Sequence, residues 1–380
     1  MQYRDFGRLD WKVSALGFGV MRLPHREKES SEIIEDRAIE MVRYAIDNGV
    51  NYLDSAWNYH GGESEGFLAR ALKDGYREKV RIATKLPSWK IESADDFDRY
   101  FDEQIQRLNT DRIDFYLLHA LQRDWWDRVH DLGYLDWAER KLADGQIGHL
   151  GFSFHDKFPL FKRIVDVWDN WTMTLLMYNY MDVDYQAGIR GIRYAFDKGL
   201  AVVVMEPLRG GLLAQEPPAS VKAVFDSFPE KRTWADWSLQ WLWDQKEVSC
   251  LISGMSTLEQ VKQNVQSACG SGTDSLSKAE KDLLVRVRDE YRKKRSVPCT
   301  DCRYCMPCPQ GVAIPWIMGY GNLSDMYESP VTAKAHYAFL SEENRAHNCN
   351  GCGRCMEHCP QGIEIITELK RIHEMLKPEA

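Results

Sequence analysis

Short apolar runs alternate with stretches of helical spacing along the first two thirds of the chain. The runs fall at 15–20, 51–56, 80–86, 113–119, 147–154, 172–178, 201–207 and 248–254, each bounded by turn residues, and predict eight buried strands. Between them apolar residues recur every three or four positions. Over 33–48, Ile34, Ala38, Met41, Val42, Ala45 and Ile46 fall on one helical face, and 129–142 predicts a second such helix. Gly49, Gly145 and Gly199 stand where helices stop. Ahead of the first run, 3–6 and 11–13 predict a hairpin turning at 7–10. Eight strand–helix units over about 250 residues suit a closed (β/α)8 barrel of the TIM type better than an open doubly wound sheet. Gly17-Phe18-Gly19 is only a fragment of G-x-G-x-x-G, so a dinucleotide fold of the Rossmann kind is disfavoured. Past residue 298 the pattern changes to helical spacing at 314–326 and 332–340.

Composition narrows the picture. At 380 residues there is room for one large domain and a small one, and 44% apolar with 28% charged residues is ordinary for a soluble globular protein. The predicted division is a barrel over 1–280, a connecting helix over 281–298 and a cysteine-rich domain over 299–380. A net charge of −8 offers no basic face to phosphates and argues against a nucleic-acid partner. The one basic run, Arg292-Lys293-Lys294-Arg295, closes a predicted helix, where cations suit the dipole. No apolar stretch reaches the length of about eighteen residues that a membrane helix needs, and the start carries no signal-peptide pattern, so a cytoplasmic location is expected.

Three of the predicted strands end on residues that belong together chemically. The run 51–56 leads to Asp54 and a loop with Tyr59; 80–86 delivers Lys85; 113–119 delivers His119. Neighbouring parallel strands would bring these four to one pocket. A carbonyl accepts hydride only as its oxygen gains a proton. A phenol is a poor acid near neutrality, with an ordinary pKa of about 10, and a nearby ammonium lowers it. Tyr59 is therefore the expected general acid, Lys85 its tuner, Asp54 the support of Lys85, and His119 the group that orients the carbonyl or relays a proton. Trp57, Trp89, Trp125 and Trp126 follow the same strands and either cover the barrel rim or form an apolar wall for an aromatic or hydrophobic substrate, the wall being favoured for Trp57 and Trp89.

With Asp54 to Tyr59 as D-x-x-x-x-Y, Thr84-Lys85, and Leu117-Leu118-His119 in this order and separation, the sequence resembles the aldo-keto reductase family from about Phe6 to about Asn264. The resemblance implies the barrel, the catalytic tetrad, and a hairpin capping its bottom. It also implies a nicotinamide site. Glu206 to Gly211 matches the loop after the seventh strand, where Arg209, Gly210 and Gly211 would approach a pyrophosphate. Gly254, Ser256, Gln260 and Asn264 match the motif after the eighth, and Ser153 matches a carboxamide contact. Several positions depart from the family pattern. Phe154 replaces an Asn, Leu175 a Gln and Met205 a stacking aromatic, while Gly254 and Gln260 stand where basic residues grip a 2′-phosphate. These departures leave NADH, a weakly held NAD(P)H, or another redox source open. The stretch 210–232, with Pro217-Pro218, predicts a long loop able to fold over a cofactor.

Eight of the ten cysteines lie past residue 298. They form Cys299-x2-Cys302-x2-Cys305-x2-Cys308-Pro and Cys349-x2-Cys352-x2-Cys355-x3-Cys359-Pro. In a reducing compartment such runs are metal ligands, and the Cys-Pro endings favour [4Fe–4S] clusters over zinc. They resemble the bacterial two-cluster ferredoxins, which implies crossed ligation. One cluster would take Cys299, Cys302, Cys305 and Cys359, the other Cys308, Cys349, Cys352 and Cys355. Cys250 and Cys269 read as small apolar residues. The whole resembles the aldo-keto reductase branch with a C-terminal, mostly helical, ferredoxin-like iron–sulfur module. Hydride moves two electrons and each cluster one. The expected function is therefore an oxidoreductase on a carbonyl or alcohol, fed by the clusters from a ferredoxin-type donor, with or without a flavin. The alternatives are an NAD(P)H-dependent carbonyl reductase with structural or sensing clusters, and a cluster-driven one-electron reductase or electron-transfer protein without nicotinamide.

Overall fold

A computed structural model describes residues 1–26 and 32–378. Strands β1 (Tyr3–Phe6) and β2 (Leu9–Ser14) form the predicted antiparallel hairpin. Eight parallel strands then close a barrel. They are β3 (Leu16–Gly19), β4 (Tyr52–Asp54), β5 (Arg81–Leu86), β6 (Ile113–Leu121), β7 (Ile147–Phe154), β8 (Trp171–Met177), β9 (Ala201–Met205) and β10 (Cys250–Gly254), with β10 hydrogen-bonded back to β3. Each matches an apolar run of the sequence, because a strand covered on one face by helices and on the other by the barrel interior carries few polar residues. The interior is filled by Tyr52, Ala83, Phe115, Leu117, Met173, Leu175, Val203 and Cys250, and Phe6 of the hairpin packs into the same cluster.

The helices are α1 (Glu35–Asp47), α2 (Glu63–Ala71), α3 (Asp95–Leu108), α4 (Arg123–Asp131), α5 (Tyr134–Ala143), α6 (Phe158–Asp166), α7 (Gly188–Asp197), α8 (Ala219–Asp226), α9 (Trp234–Trp243) and α10 (Leu258–Cys269). Helix α1 buries Ala38, Met41, Val42, Ala45 and Ile46, the stripe its periodicity predicts; Met41, Val42 and Ile46 contribute about 1.5–3 kcal/mol each. Ile34 sits just outside, at its N-cap. Gly49, Gly145 and Gly199 are left-handed, as the helix stops require. The expected helix over 129–142 is two helices. Gly133, at φ +81°, breaks the pattern between α4 and α5, and the apolar spacing simply resumes on the far side.

The rest of the chain comprises α11 (Lys278–Lys293), α12 (Ile314–Tyr327), α13 (Val331–Ala338), α14 (Arg354–Glu357) and α15 (Ile365–Leu376). Two compact units result, one of Met1–Arg209 with Ala235–Ser277, the other of Gly210–Trp234 with Lys278–Ala380. The stretch 210–232 is thus more than a loop. It holds α8, which packs on α11 in the second unit. The second unit has its own core of Val297, Val312, Ile317, Tyr337, Leu369 and Ile372. Among the described residues no helix is long and apolar enough to cross a membrane.

Candidate active site and cysteine quartets

In a parallel barrel the carboxyl ends of all strands open on one side. β4, β5 and β6 are successive neighbours, with Asp54 beside Ala83 and Lys85 beside Leu117. Their ends therefore bring the sequence-predicted quartet together. Lys85 Nζ donates to Asp54 Oδ1 at 2.6 Å and to the Ser55 carbonyl at 2.5 Å, and lies 3.3 Å from the Tyr59 hydroxyl. Lys85 and Asp54 are fully buried. The ring of His119 meets that of Tyr59 edge-on, with centroids 5.9 Å apart.

Burial dominates the electrostatics. It disfavours charge on Lys85, yet Asp54 and Tyr59 together outweigh it and hold the ammonium above its ordinary value. Burial raises Asp54 as well, against the attraction of Lys85, and Asp54 Oδ2 has no hydrogen-bond partner. Tyr59 differs from expectation. Lys85 does pull its pKa down, but burial, joined by Asp54 and Glu206, leaves the phenol above its ordinary value. Burial takes His119 well below the usual imidazole range, helped by Lys85 and by His155, itself brought down to about 4. Both effects favour the neutral imidazole.

The tryptophans divide. Trp89 stacks obliquely near His119 at 5.1 Å and Trp125 near Trp89 at 5.9 Å, so these two line the site. Trp57 turns away, edge-on to Tyr100 of α3, with its indole N–H donated to Glu103 at 3.0 Å. Trp126, on α4, is buried.

The residues matched to a nicotinamide cradle occupy the loops after β7, β8, β9 and β10. Ser153 Oγ accepts the Ala120 N–H at 2.6 Å and keeps its own proton to donate. Asn179 closes the loop after β8 by accepting from Met181 and Asp182, each at 3.0 Å, and donating to the Glu206 carbonyl at 3.3 Å. Arg209 pairs with Asp182 at 2.8 Å, which offsets its charge. Glu206, Arg209, Gly210 and Gly211 are all left-handed, so this turn is bent tightly. Beyond β10, Thr257 caps α10, Gln260 accepts the Ser256 N–H at 2.8 Å, and Asn264 donates to Ser253 at 3.2 Å. At Gly254 a Cβ would meet the Arg22 stem at 3.2 Å, so a side chain from the turn after β3 covers the position where sequence shows only the missing one.

The eight cysteines of the second unit separate into two cavities. Cys299, Cys302, Cys305 and Cys359 line one; Cys308, Cys349, Cys352 and Cys355 line the other, where Cys305 also borders. The last cysteine of each run thus reaches the other run, in the crossed arrangement. Among the described residues no three His, Cys, Asp or Glu converge as ligands of a single ion would. Four thiols line each cavity, the number that one [4Fe–4S] cluster takes.

Sequence reading missed the layer beneath the quartet. Glu65, Thr84, Gln104 and Tyr116 are all fully buried and hydrogen-bonded to one another. A signal exists: Glu65 falls on the apolar face of α2 with Leu68, and Gln104 on that of α3 with Phe97, Tyr100, Phe101 and Leu108. A polar residue on an apolar stripe is paired or functional.

Comparison with known proteins agrees with this geometry. The sequence profile of the Aldo/keto reductase family matches residues 15–269, and that of a 4Fe-4S dicluster domain matches residues 298–364. L-galactose dehydrogenase of Arabidopsis thaliana is 27% identical over 305 residues, covering 74% of this chain and 93% of that one. The 6-dehydroglucose reductase of Novosphingobium aromaticivorans is 26% identical over 59% of this chain and 75% of its own. An aldo-keto reductase from Bacillus halodurans, in its holo form, superposes with a TM-score of 0.63 at 27% identity, covering 76% of this chain and 96% of that one. One from Klebsiella pneumoniae, solved with NADPH, does so at 0.60 and 21% identity, with the same coverage. The chain is an oxidoreductase of the aldo-keto reductase family, a (β/α)8 barrel extended at its C-terminus by a 4Fe–4S dicluster domain.

Proposed function

We propose that this protein reduces a small-molecule carbonyl, or oxidises the matching alcohol, with Tyr59 as general acid. The observation that carries the reading is the buried Asp54–Lys85 pair with the Tyr59 hydroxyl 3.3 Å from the ammonium. A nicotinamide held by the loops after β7 to β10 would supply the hydride. As negative charge builds on the carbonyl oxygen, Tyr59 delivers its proton there, and Lys85 stabilises the phenolate left behind. Asp54 keeps Lys85 charged. Neutral His119 donates a ring N–H to the same oxygen and fixes its direction. The upward shift of Tyr59 keeps the acid form present through physiological pH; the proton moves only when the developing alkoxide demands it. Trp89 and Trp125 form the apolar wall beside His119, suited to an unsaturated or aromatic substrate.

Crossed quartets fit two [4Fe–4S] clusters, held by Cys299, Cys302, Cys305 and Cys359 and by Cys308, Cys349, Cys352 and Cys355, whose chemistry is one-electron transfer. Cys305 borders both cavities, which supports adjacent sites of the kind an electron relay would need. We read the module as a conduit to a ferredoxin-type partner. The test is anaerobic: NADH or NADPH is added to purified protein and the visible absorbance of the iron–sulfur centres is followed. Bleaching supports one connected redox chain. No bleaching, with the centres still reducible by dithionite, rules out nicotinamide as their electron source and leaves them structural or fed by the partner.

A further inference from the structure

We infer that the ion pair of buried Glu65 with half-buried Arg107 positions the two halves of the acid site, Lys85 on its strand and Tyr59 on its loop. The inference rests on the reading of Tyr59 as the acid.

Glu65 lies in the first turn of α2, where the helix dipole favours an anion, and its carboxylate is fully buried. Burial pushes its pKa up, opposed by Thr84, Gln104 and Arg107. One oxygen faces the strand. Glu65 Oε1 accepts from Thr84 Oγ1 and Gln104 Nε2, each at 2.5 Å, and the same Gln104 nitrogen lies 3.2 Å from the Lys85 carbonyl. The Tyr116 hydroxyl donates to Gln104 Oε1 at 2.8 Å, which fixes which way that amide points. The end of β5 that presents Lys85 is therefore clamped from below.

The other oxygen faces the loop. Glu65 Oε2 is 3.4 Å from Arg107 Nη1, and that nitrogen donates to the Trp57 carbonyl at 3.0 Å. The second guanidinium nitrogen reaches Glu103, which also accepts the Trp57 indole N–H at 3.0 Å. Trp57 is thus held by backbone and ring two residues before Tyr59. On the other side of Tyr59 the chain turns sharply: His60, Gly61 and Gly62 are left-handed in succession, at φ +50°, +64° and +100°. At Gly62 a Cβ would stand 3.3 Å from the guanidinium, so the loop is bare where Arg107 passes. Ser64, the residue before Glu65, bonds Ser55 at 2.9 Å and closes the same loop. One carboxylate therefore joins the strand end to the loop, and the 3.3 Å between Lys85 and Tyr59 is the distance it sets.

A stability role alone gives a weak account of this arrangement, since taking the Glu65 carboxylate out of water offsets much of what its partly exposed partner returns. Fixed direction is what a fork of donors adds. The loop can shift by a fraction of an ångström without unfolding, and misplacement of about 1 Å costs on the order of a hundredfold in rate.

The test uses the full-length protein in three variants: Glu65→Gln, Arg107→Lys, which keeps the charge but loses the fork, and Trp57→Phe, which removes only the indole donor and is mild enough to fold. Two readouts are taken. The first is steady-state carbonyl reduction, where kcat should fall about tenfold to a hundredfold with KM changed by less than about twofold. Arg107→Lys should add nothing to the loss already caused by Tyr59→Phe. The second is the Tyr59 titration, followed by ¹⁹F NMR of 3-fluorotyrosine protein and assigned by the signal lost in Tyr59→Phe. In the variants the phenol should ionise at lower pH than in the parent, because a released loop gives it back to water. Unchanged kcat and an unmoved Tyr59 titration in folded variants, with only melting temperature lowered, would reduce the pair to packing and overturn the inference. If the parent itself reduces no carbonyl, the functional reading fails, yet the ¹⁹F titration still decides whether Glu65 and Arg107 place Tyr59.

Discussion

Replacing Lys85 by Met separates the chemical from the structural part of the site. The side chain is fully buried and its ammonium touches Asp54, the Ser55 carbonyl and the Tyr59 hydroxyl. At an effective dielectric constant of about 20, opposite charges 3.3 Å apart attract by roughly 5 kcal/mol, the ceiling for what Lys85 gives a Tyr59 phenolate. With the proton half transferred, about half of that is felt in the transition state, or roughly a hundredfold in rate. The expected result for Lys85→Met is therefore a hundredfold loss of kcat in reducing a simple aromatic aldehyde, with nicotinamide dissociation constants unchanged. Stability carries a second signature. Without its counter-charge Asp54 is pushed still higher in the folded state. A carboxylate whose folded pKa exceeds its unfolded value of about 4 costs nothing below that value and costs progressively more as pH rises toward the folded pKa. The melting temperature of the variant should approach that of the parent near pH 4 and fall increasingly behind it toward pH 8. A variant that keeps a third of parental kcat, or a melting deficit that does not widen with pH, would refute the reasoning about this pair.

Other expectations follow from the same geometry. Because His119 is held far below the usual imidazole range, reduction should show no kcat inflection between pH 6 and 9; an apparent pKa near 6.5 that disappears in His119→Gln would mean that the ring acts as an acid. The lowered pKa also means that the unfolded chain binds this proton first, so His119 takes stability away as pH falls below about 6.5, and His119→Gln should flatten the acid limb of a urea-midpoint profile. Gly62→Ala meets both a φ of +100° and the Arg107 guanidinium, and should cost about 1–3 kcal/mol in denaturant unfolding; a neutral result would show that the loop relaxes freely. Crossed ligation predicts that Cys308→Ala damages the centre of the second cysteine run and Cys359→Ala that of the first, each losing about four of eight irons; electron paramagnetic resonance showing the reverse assignment sinks the crossing.

Most of the barrel was legible because its strands are buried on both faces, which leaves continuous apolar runs such as 201–205 with little else to be. Asp54, Lys85 and His119 were legible for a related reason: each is a polar residue at the end of such a run. Direction of charge was less so. Nothing in the order of residues tells that burial outweighs Lys85 at the Tyr59 hydroxyl, since desolvation depends on what the other elements pack over it. The Glu65 layer was hidden because its partners, Thr84 of β5 and Gln104 and Arg107 of α3, lie on other elements than its own α2 and meet it only in three dimensions. Trp57 illustrates the limit of sequence proximity. It stands two residues from Tyr59, yet its ring belongs to α3, while Trp125, much farther along the chain, reaches the site through Trp89. Gly133 shows the converse, where an unbroken apolar period concealed a turn.

The corner after β10 holds a cation that reading by position does not see. At Gly254 the sequence shows a lost side chain, and the natural conclusion is a lost cation. In the folded chain the stem of Arg22 lies across that glycine, and Ser256 ties the two turns together by donating to the Arg22 carbonyl at 2.8 Å. A Cβ at 254 would stand 3.2 Å from the Arg22 stem, so a side chain there would require the stem to give way by a few tenths of an ångström. Arg22 is exposed and its charge reaches Glu206, the carboxylate that ends β9. A cation so placed is screened, and its attraction for a phosphate is on the order of 1 kcal/mol, or about fivefold in affinity. Arg22→Ala should therefore weaken NADPH binding about fivefold and NADH binding much less. The loss should shrink as salt rises to about 0.5 M, because the Debye length then falls to a few ångströms. Fluorescence titration with both dinucleotides at two salt concentrations decides it. Equal losses for the two, or no salt dependence, would return Gly254 to what the sequence alone says of it, a position where the grip on phosphate has been given up.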